Sequence, residues 1–465
     1  MEQRIDNEAP PGRSLFTVPP ALRYPAYRSY WFGTLASVSG FQMLQFTQLW
    51  LIHQLTESPL FLGYVGLVNA VPAITLNLFG GVFADRLDNR RLIMITQTIL
   101  ASLIFLLATL TLLDVVEVWH ILTIAFVAGA VNAFDQPARQ ALYPRLIDRK
   151  VMMSAVALNS AIWQGTRIFA PAVAGIVIAT IGTSTPIAGT ADSLVDTADT
   201  LIGTAAAFYL AGSGFLAMAI VMLGLRVPPV ERRATGNAYQ NMVDGLKFIA
   251  GNSIFSFLIA MTFFNSFFGM AYMMMMPVFA VDVLEVGADG QGWLMSIGGI
   301  GALITTLVLG SMGNFHGKGL ILIGGATMFG LMVAAFALTS EFVGNYYLAL
   351  VLMFTMGTAS STYMILIMSS LQMMVPNHMR GRVMGFYGMT WSIMPLGGMQ
   401  SGAIANLIGV PFAVAIGGLA VSAFALGPAM INRNVRNLGT LLLQAERSAI
   451  PEARKVQPSV TANDD

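Results

Sequence analysis

Long runs without a charged residue limit what this 465-residue chain can fold into. A helix needs about 20 mostly apolar residues to cross the hydrocarbon core of a bilayer, and only 10% of this chain is charged. A run interrupted by Arg167 spans 151–191, and 383–432 is long enough for two helices. The sequence therefore predicts an all-α membrane protein with twelve transmembrane helices. The other nine spans fall in 29–56, 58–84, 92–113, 118–134, 200–225, 248–281, 290–317, 319–340 and 342–379.

The charged residues between the predicted spans are sorted by sign. If both termini lie on one side, as an even number of spans requires, that side receives every Lys and Arg except Arg167. The loops on the other side carry acidic residues, among them Glu57, Asp114, Asp282 and Glu341. Because loops rich in Lys and Arg stay in the cytoplasm, we expect both termini to be cytoplasmic.

Two pairs of segments recur at about half the chain length. The stretch beginning at Gly81 resembles the one beginning at Gly310, 229 residues later, and Pro144 has a counterpart in Pro376, 232 residues later. Such repeats are typical of transporters built from two similar halves. Residues 183–200, rich in Thr, Ser, Ala, Gly and Asp, are interpreted as an external spacer. The predicted domains are a cytoplasmic tail at 1–28, a six-helix bundle at 29–226, a cytoplasmic linker with an amphipathic helix at 227–252, a second, pseudo-symmetric six-helix bundle at 253–432 and a cytoplasmic tail at 433–465.

Several motifs resemble those of the major facilitator superfamily. Between its second and third helices this family has a glycine, three residues, Asp-Arg and then basic residues, matched here by Gly81, Asp85, Arg86, Arg90 and Arg91. Three further stretches resemble the bacterial branch that includes the enterobactin exporter, the macrolide efflux proteins and the lysophospholipid transporter. They cover residues 132–147, 157–175 and 379–398. The resemblance implies the major facilitator fold and a multi-pass protein of the bacterial cytoplasmic (inner) membrane.

The resemblance also implies a conformational latch on the cytoplasmic side. In the family, the aspartate at the position of Asp85 lies against the N-terminus of the eleventh helix, here near Arg382. Free backbone N–H groups and the helix dipole favour a carboxylate there. The alternative is an ordinary loop whose arginines only set the orientation. The latch would comprise Gly81, Asp85, Arg86, Arg90, Asp135, Arg139 and Arg382.

A few polar groups inside the predicted spans could bind a substrate. Arg167 is the most costly, since a central arginine adds about 2.5–3.5 kcal/mol to helix insertion. It either faces an anion in a central cavity or braces Asp135. Pro171 deprives the Arg167 carbonyl of its helical partner and predicts a kink, and Pro395 predicts another in the eleventh span. The candidate substrate-binding residues are Gln42, Gln45, Asn159, Trp163, Arg167, Asn265, Tyr272, Tyr363 and Trp391.

These features favour an exporter of an amphipathic small molecule, such as a drug, a siderophore or a secreted metabolite, working by alternating access. Proton antiport is the mode of coupling that the family implies, with Asp135 or Arg167 as its site. Transport of a lysophospholipid is the alternative. An intramembrane enzyme is a remote one, because cysteine is absent and the four histidines are dispersed. The expected partners are the substrate, membrane lipids and protons, with no metal, cofactor or nucleic acid, and the protein is expected to be a monomer.

The latch predicts a specific effect of Asp85→Asn. We expect normal expression and insertion, because the change replaces a carboxylate by an amide of the same shape, but a shift of the population toward the inward-open state. Labelling of a single cysteine on the cytoplasmic side measures this shift. Unchanged labelling would contradict the latch.

Overall fold

The computed structural model describes residues 19–182, 193–227, 238–312 and 317–431, and every regular element in these ranges is helical. The first half holds six long helices, preceded by a 3₁₀ turn at Pro20–Arg23. Two further 3₁₀ turns, Tyr143–Leu146 and Arg149–Val151, connect the fourth helix to the fifth. The six helices are α1 (Pro25–Thr56), α2 (Pro59–Arg86), α3 (Asn89–Leu112), α4 (Val118–Leu142), α5 (Met152–Gly182) and α6 (Ser193–Gly224).

The second half begins after α7 (Ala238–Ala250), which lies in the predicted linker. Its first span is irregular: α8 (Ser253–Phe264) continues through a π-helical turn, a 3₁₀ turn, α9 (Met276–Val278) and a second π-helical turn at Phe279–Val283. We call the whole segment 253–283 the seventh span. The remaining helices are α10 (Gly287–Met312), α11 (Lys318–Val343), α12 (Tyr346–Met374), α13 (Asn377–Met389), α14 (Met394–Ile408) and α15 (Val410–Ile431).

Nine helical segments of the described ranges are long and apolar enough to cross a membrane. With α1, α2 and the α13–α14 segment, their order along the chain matches the twelve predicted spans. The predicted spacer at 183–200 is too long, because α6 already begins at Ser193. Residues 183–192 lie outside the described ranges, as do 1–18, 228–237 and 432–465, which include most of the predicted tails.

The two halves repeat the same set of helix contacts. In the first half α2 packs against α4, and α3 packs against both α4 and α6. In the second half α10 packs against α12, and α11 packs against both α12 and α15. These are equivalent pairs in chain order, so the contacts have the pseudo-symmetry that the sequence repeat predicts.

The halves meet along two seams, α2 against α14 and α5 against α10. Small residues let the backbones approach closely there, as is common between membrane helices. A Cβ added at Gly175 of α5 would lie 2.3 Å from the Ala288 carbonyl oxygen, and one at Gly402 of α14 would lie 2.6 Å from that of Pro59. The close contacts thus stand in the part of each seam nearest the acidic loops.

The two ends of the molecule differ in how the seams close. We define the acidic end by Glu57, Asp114, Asp282 and Glu341, and the basic end as the opposite one. Toward the basic end, open space surrounds the Cβ positions of Gly165 in α5 and of Gly385 and Gly388 in α13. The closest backbone contacts between the halves therefore lie toward the acidic end.

The predicted kink positions differ from each other. Pro395 lies in the first turn of α14, directly after a 3₁₀ turn at Thr390–Ile393 that interrupts the eleventh span. The helix α5, by contrast, continues through Pro171. Near this proline, the Ser296 hydroxyl of α10 donates a hydrogen bond to the Ile168 carbonyl across the seam.

Close packing at the seam predicts the effect of adding one methyl group. Gly175→Ala should lower the free energy of unfolding by roughly 1–3 kcal/mol, because the new Cβ collides with backbone of α10. Gly165→Ala on the same helix is the matched control, since its Cβ has open space and alanine favours a helix. Thermal unfolding in detergent compares them. Equal shifts for both variants would show that the seam contact is not tight.

Candidate functional site

A cavity of about 90 Å³ opens among α1, α3, α4, α5 and α6 of the first half. Two predicted substrate-binding residues, Asn159 and Trp163, line it one turn apart on α5. The Trp163 ring meets Phe41 of α1 edge-on, with ring centroids 6.4 Å apart. The cavity therefore combines an aromatic wall with amide groups, a mixture suited to a molecule that has both polar and apolar parts.

Sequence reasoning missed the amide groups that α4 adds to this cavity. Asn132, Gln136 and Gln140 all line it. They stand four residues apart, so they share one helix face. This i, i+4, i+8 pattern of side-chain amides within an otherwise apolar span was a signal that could have identified them.

A buried ion pair lies beside the cavity. Asp135 is 2% exposed and accepts hydrogen bonds from Arg139 Nε and, at 2.6 Å, from the Thr96 hydroxyl of α3. Arg139 Nη2 donates to Ser37 of α1 at 2.7 Å, and Ser37 donates to Gln97 Oε1 at 2.7 Å. Asp135 and Arg139 thus connect three helices of the first half. Asp135 is therefore paired with Arg139. The structure does not show Arg167 bracing Asp135, which was one of the roles expected for Arg167.

The described members of the predicted latch contact different partners. Arg90 donates from Nε to the Met222 carbonyl and from Nη2 to the Leu223 carbonyl, both at 2.7 Å, at the end of α6. Arg382 forms an ion pair with Asp244 of α7, with 3.2 Å between Nη1 and Oδ2. The side chains of Asp85 and Arg86 and the surroundings of Gly81 lie outside the described part. The latch therefore stays a prediction.

Asp88, in the same charged loop, has a local role. Its carboxylate accepts a hydrogen bond from the Arg90 backbone N–H at 3.0 Å and so caps α3. An N-cap side chain satisfies one of the free donors at the start of a helix. Its ion pair with Arg91 is exposed, with 3.7 Å between Nε and Oδ2.

Arg167 lies where the two halves come together. Its side chain is half-buried, and its charge is within electrostatic range of the hydroxyls of Tyr272 in the seventh span and Tyr363 in α12. Within the described ranges Arg167 has no ion-pair partner. Arg167 thus brings a positive charge close to the boundary between the two halves, where its backbone carbonyl lies 3.5 Å from the Cβ position of Gly299 in α10.

The other predicted substrate-binding residues have no described contact with Arg167. Asn265 is fully buried in the π-helical turn Asn265–Gly269, and neither its Oδ1 nor its Nδ2 has a hydrogen-bond partner among the described residues. Gln42 is half-buried and Gln45 exposed on α1. The side chain of Trp391 lies outside the described part. Tyr363 is fully buried, with its ring centroid 5.7 Å from that of Phe329.

Two six-helix halves that meet along α2–α14 and α5–α10 are the arrangement of a transporter of the major facilitator superfamily. The sequence profile of one of its families, described as transmembrane secretion effector, matches residues 17–453. The chain belongs to this family. The predicted superfamily and the predicted all-α membrane fold are confirmed.

The curated relatives are bacterial transport proteins of low identity but high coverage. The staphyloferrin A transporter of Staphylococcus aureus is 24% identical over 83% of this chain and 91% of its own length. Macrolide efflux protein A of Streptococcus pyogenes is 23% identical over 87% of this chain and 96% of its own length. The multidrug efflux pump Tap of Mycolicibacterium fortuitum is 23% identical over 78% of this chain and 84% of its own length. The chain is thus a transporter with efflux-type relatives and not an enzyme.

Solved structures show the same fold. A point mutant of the nucleoside transporter NupG superposes with a TM-score of 0.67 at 13% identity, over 88% of this chain and 100% of that one. A bacterial homologue of the human lysosomal transporter Spinster, in an inward-facing and unoccupied conformation, gives a TM-score of 0.63 at 15% identity, over 92% and 99% of the two chains. At such identities the likeness concerns the fold alone.

The buried ion pair predicts a stability difference. Asp135→Asn should lower the free energy of unfolding by roughly 3–5 kcal/mol, because it leaves Arg139 buried without its counter-charge. Adding Arg139→Gln removes that charge and should recover most of the loss. Asp88→Asn is the control: its ion pair is exposed, asparagine also caps helices, and the cost should stay below about 1 kcal/mol. Thermal unfolding in detergent tests the series, and a loss at Asp135 no larger than at Asp88 would contradict the buried pairing.

Proposed function

We propose that the protein is a secondary transporter that exports an amphipathic small molecule with an anionic group by alternating access. One observation carries this proposal: Arg167 is half-buried between the two halves and has no acidic partner within the described ranges. An intramembrane arginine is costly unless it is paired or solvated. A substrate carboxylate, phosphate or enolate would supply the missing counter-charge.

The surroundings of Arg167 support a substrate that is apolar apart from this group. Tyr272 and Tyr363 add two phenols from the second half. Asn159 and Trp163 precede Arg167 by two turns and one turn on α5 and line the cavity of the first half. Residues from both halves would therefore contact one ligand, and binding could report directly on how the halves are arranged.

The geometry of the seams supports alternating access. Close backbone contacts join the halves at the acidic end, whereas the Cβ positions of Gly165 and Gly385, toward the basic end, meet open space. Under the orientation that the loop charges predict, this arrangement faces the cytoplasm. Export then requires the opposite arrangement, in which the acidic-end contacts part and the basic end closes, with the predicted Asp85 latch holding it.

The relatives support a small organic substrate and outward transport. Their names specify a staphyloferrin A transporter, a macrolide efflux protein and a multidrug efflux pump. We propose proton antiport as the energy source. A lysophospholipid substrate is the alternative, and it is included in the test below.

Removing the Arg167 charge should abolish binding of the anionic group. In proteoliposomes with an acidic interior, we expect uptake of an amphipathic organic carboxylate, tested beside its neutral ester. For the compound transported, Arg167→Ala should lower the initial rate by about tenfold or more, because a hydrogen bond to a charged group contributes about 1.5–3 kcal/mol. Arg167→Lys should retain part of the activity. Gln164→Ala, a neutral change on the same helix, is the matched control and should stay within about twofold of the unsubstituted protein.

Two results would contradict the proposal. Full activity of Arg167→Ala would show that this residue does not contact the substrate. Transport of a labelled lysophospholipid, but of neither other compound, would favour the lipid alternative. If the rate ignores the imposed pH gradient, proton antiport is wrong.

A further inference from the structure

The last turn of α1 meets the end of the seventh span at the acidic end of the molecule. His53 Nε2 lies 3.2 Å from Asp282 Oδ1. The His53 side chain is 3% exposed, whereas that of Asp282 is 47% exposed. The contact joins the first half to the second, and solvent at the acidic end reaches one of its partners.

His53 and Asp282 occupy corresponding places, since each stands in the last turn of the first span of its half. They are 229 residues apart, the interval that also separates Gly81 from Gly310 in the sequence repeat. Residues related by a two-fold axis can touch only where they lie close to that axis. The His53–Asp282 contact therefore lies on the central path between the halves, and opening the acidic end must break it.

Other titratable groups stand at this end of the molecule. Two of them are held by local hydrogen bonds. Glu117 accepts a hydrogen bond from Trp119 at 2.6 Å, and the ring of His120 accepts one from the Glu117 N–H at 3.0 Å. Among the described side chains Asp282 is the one in ionic contact with His53. The titratable side chains near this contact belong to α1, to the elements packed against α1 and to the neighbours of Asp282. They are Glu57, Tyr64, Glu117, His120, Asp196, Asp199, Glu285 and Asp289. The side chains of Asp196 and Asp199 lie outside the described part.

The two ring nitrogens of His53 have different surroundings. Nε2 faces Asp282, while Nδ1 is buried and has no hydrogen-bond partner among the described residues. A neutral ring with its proton on Nε2 donates to Asp282, and a second proton would then add at Nδ1. The resulting imidazolium makes a charge-assisted bond to the carboxylate, which is about twice as strong as a neutral one.

We propose that His53 and Asp282 form a proton-sensitive gate, in which gain of a proton by His53 holds the acidic end closed. Histidine is suited to this task, because imidazole ordinarily changes its charge between about pH 5 and pH 8. The inference rests on the alternating access of the proposed function and names a residue that responds to protons at the acidic end. A proton taken up by His53 from solvent at that end favours the arrangement in which that end is closed.

The absence of cysteine makes the gate directly measurable. Val115→Cys in the first half and Val343→Cys in the second replace exposed side chains at the acidic end. Spin labels on this pair, in lipid nanodiscs, report the distance between the halves by pulsed electron resonance. From pH 8 to pH 5 we expect the ratio of closed to open acidic ends to rise severalfold, because a protonated His53 bonds the Asp282 carboxylate more strongly. His53→Gln and Asp282→Asn should each remove this pH dependence.

His120→Gln is the matched control, because His120 is a second histidine of the acidic end that caps α4 away from Asp282. It should keep the full pH response. A response retained in both His53→Gln and Asp282→Asn, or lost equally in His120→Gln, would overturn the gate. If His53→Gln fails to fold, Asp282→Asn decides alone.

Exchange of the transported compound at equal pH on both sides separates this inference from the proposed function. Absence of exchange in the unsubstituted protein would overturn the exporter proposal, while the distance measurement would still judge the gate. We expect His53→Gln to retain exchange but to lose stimulation by an imposed pH gradient. If a pH gradient still stimulates transport in that variant, the gate is wrong.

Discussion

Close backbone contact between helices is the constraint on which this structure depends. Inside a bilayer, lipid tails are as apolar as the side chains of a helix, so burial of apolar surface does not hold helices together. Packing and hydrogen bonds must do so, and Gly175, Gly292 and Gly402 bring carbonyl groups of the two halves together with no side chain between them. Contacts of this kind can form or part as rigid surfaces, which the alternating access that we propose requires.

The second constraint is the cost of charge in a low dielectric. Charged side chains inside the spans occur in two arrangements. Asp135 and Arg139 neutralise each other within the first half and connect its helices. Arg167 stands between the halves without such a partner among the described residues, and we propose that the substrate provides it. The cost of a charge in a low dielectric therefore accounts for the Asp135–Arg139 pair, and in our proposal it also accounts for substrate binding at Arg167.

Much of the fold followed from the sequence, because membrane spans and loop charges are local signals. The lengths of the uncharged runs indicated where helices lie, and the repeat from Gly81 to Gly310 indicated two halves. The failures were also local in origin. The spacer at 183–200 was extended too far, since small polar residues at its end belong to α6, and the amide face of α4 was overlooked because its residues stand within an apolar run. The irregular turns of the seventh span follow from packing against neighbouring helices and have no simple sequence signature.

For the candidate site, too, some features follow from the sequence and others only from the tertiary structure. The sequence by itself determined that the chain crosses the membrane repeatedly, that it resembles major facilitator transporters and that Arg167 is exceptional, because each of these depends on residue type and spacing along one segment. Only the tertiary structure decided that Asp135 pairs with Arg139, that Arg382 pairs with Asp244, and that His53 meets Asp282. Most of those contacts join residues from different helices. Their geometry is set by how two bundles pack against each other, a property that no single segment encodes.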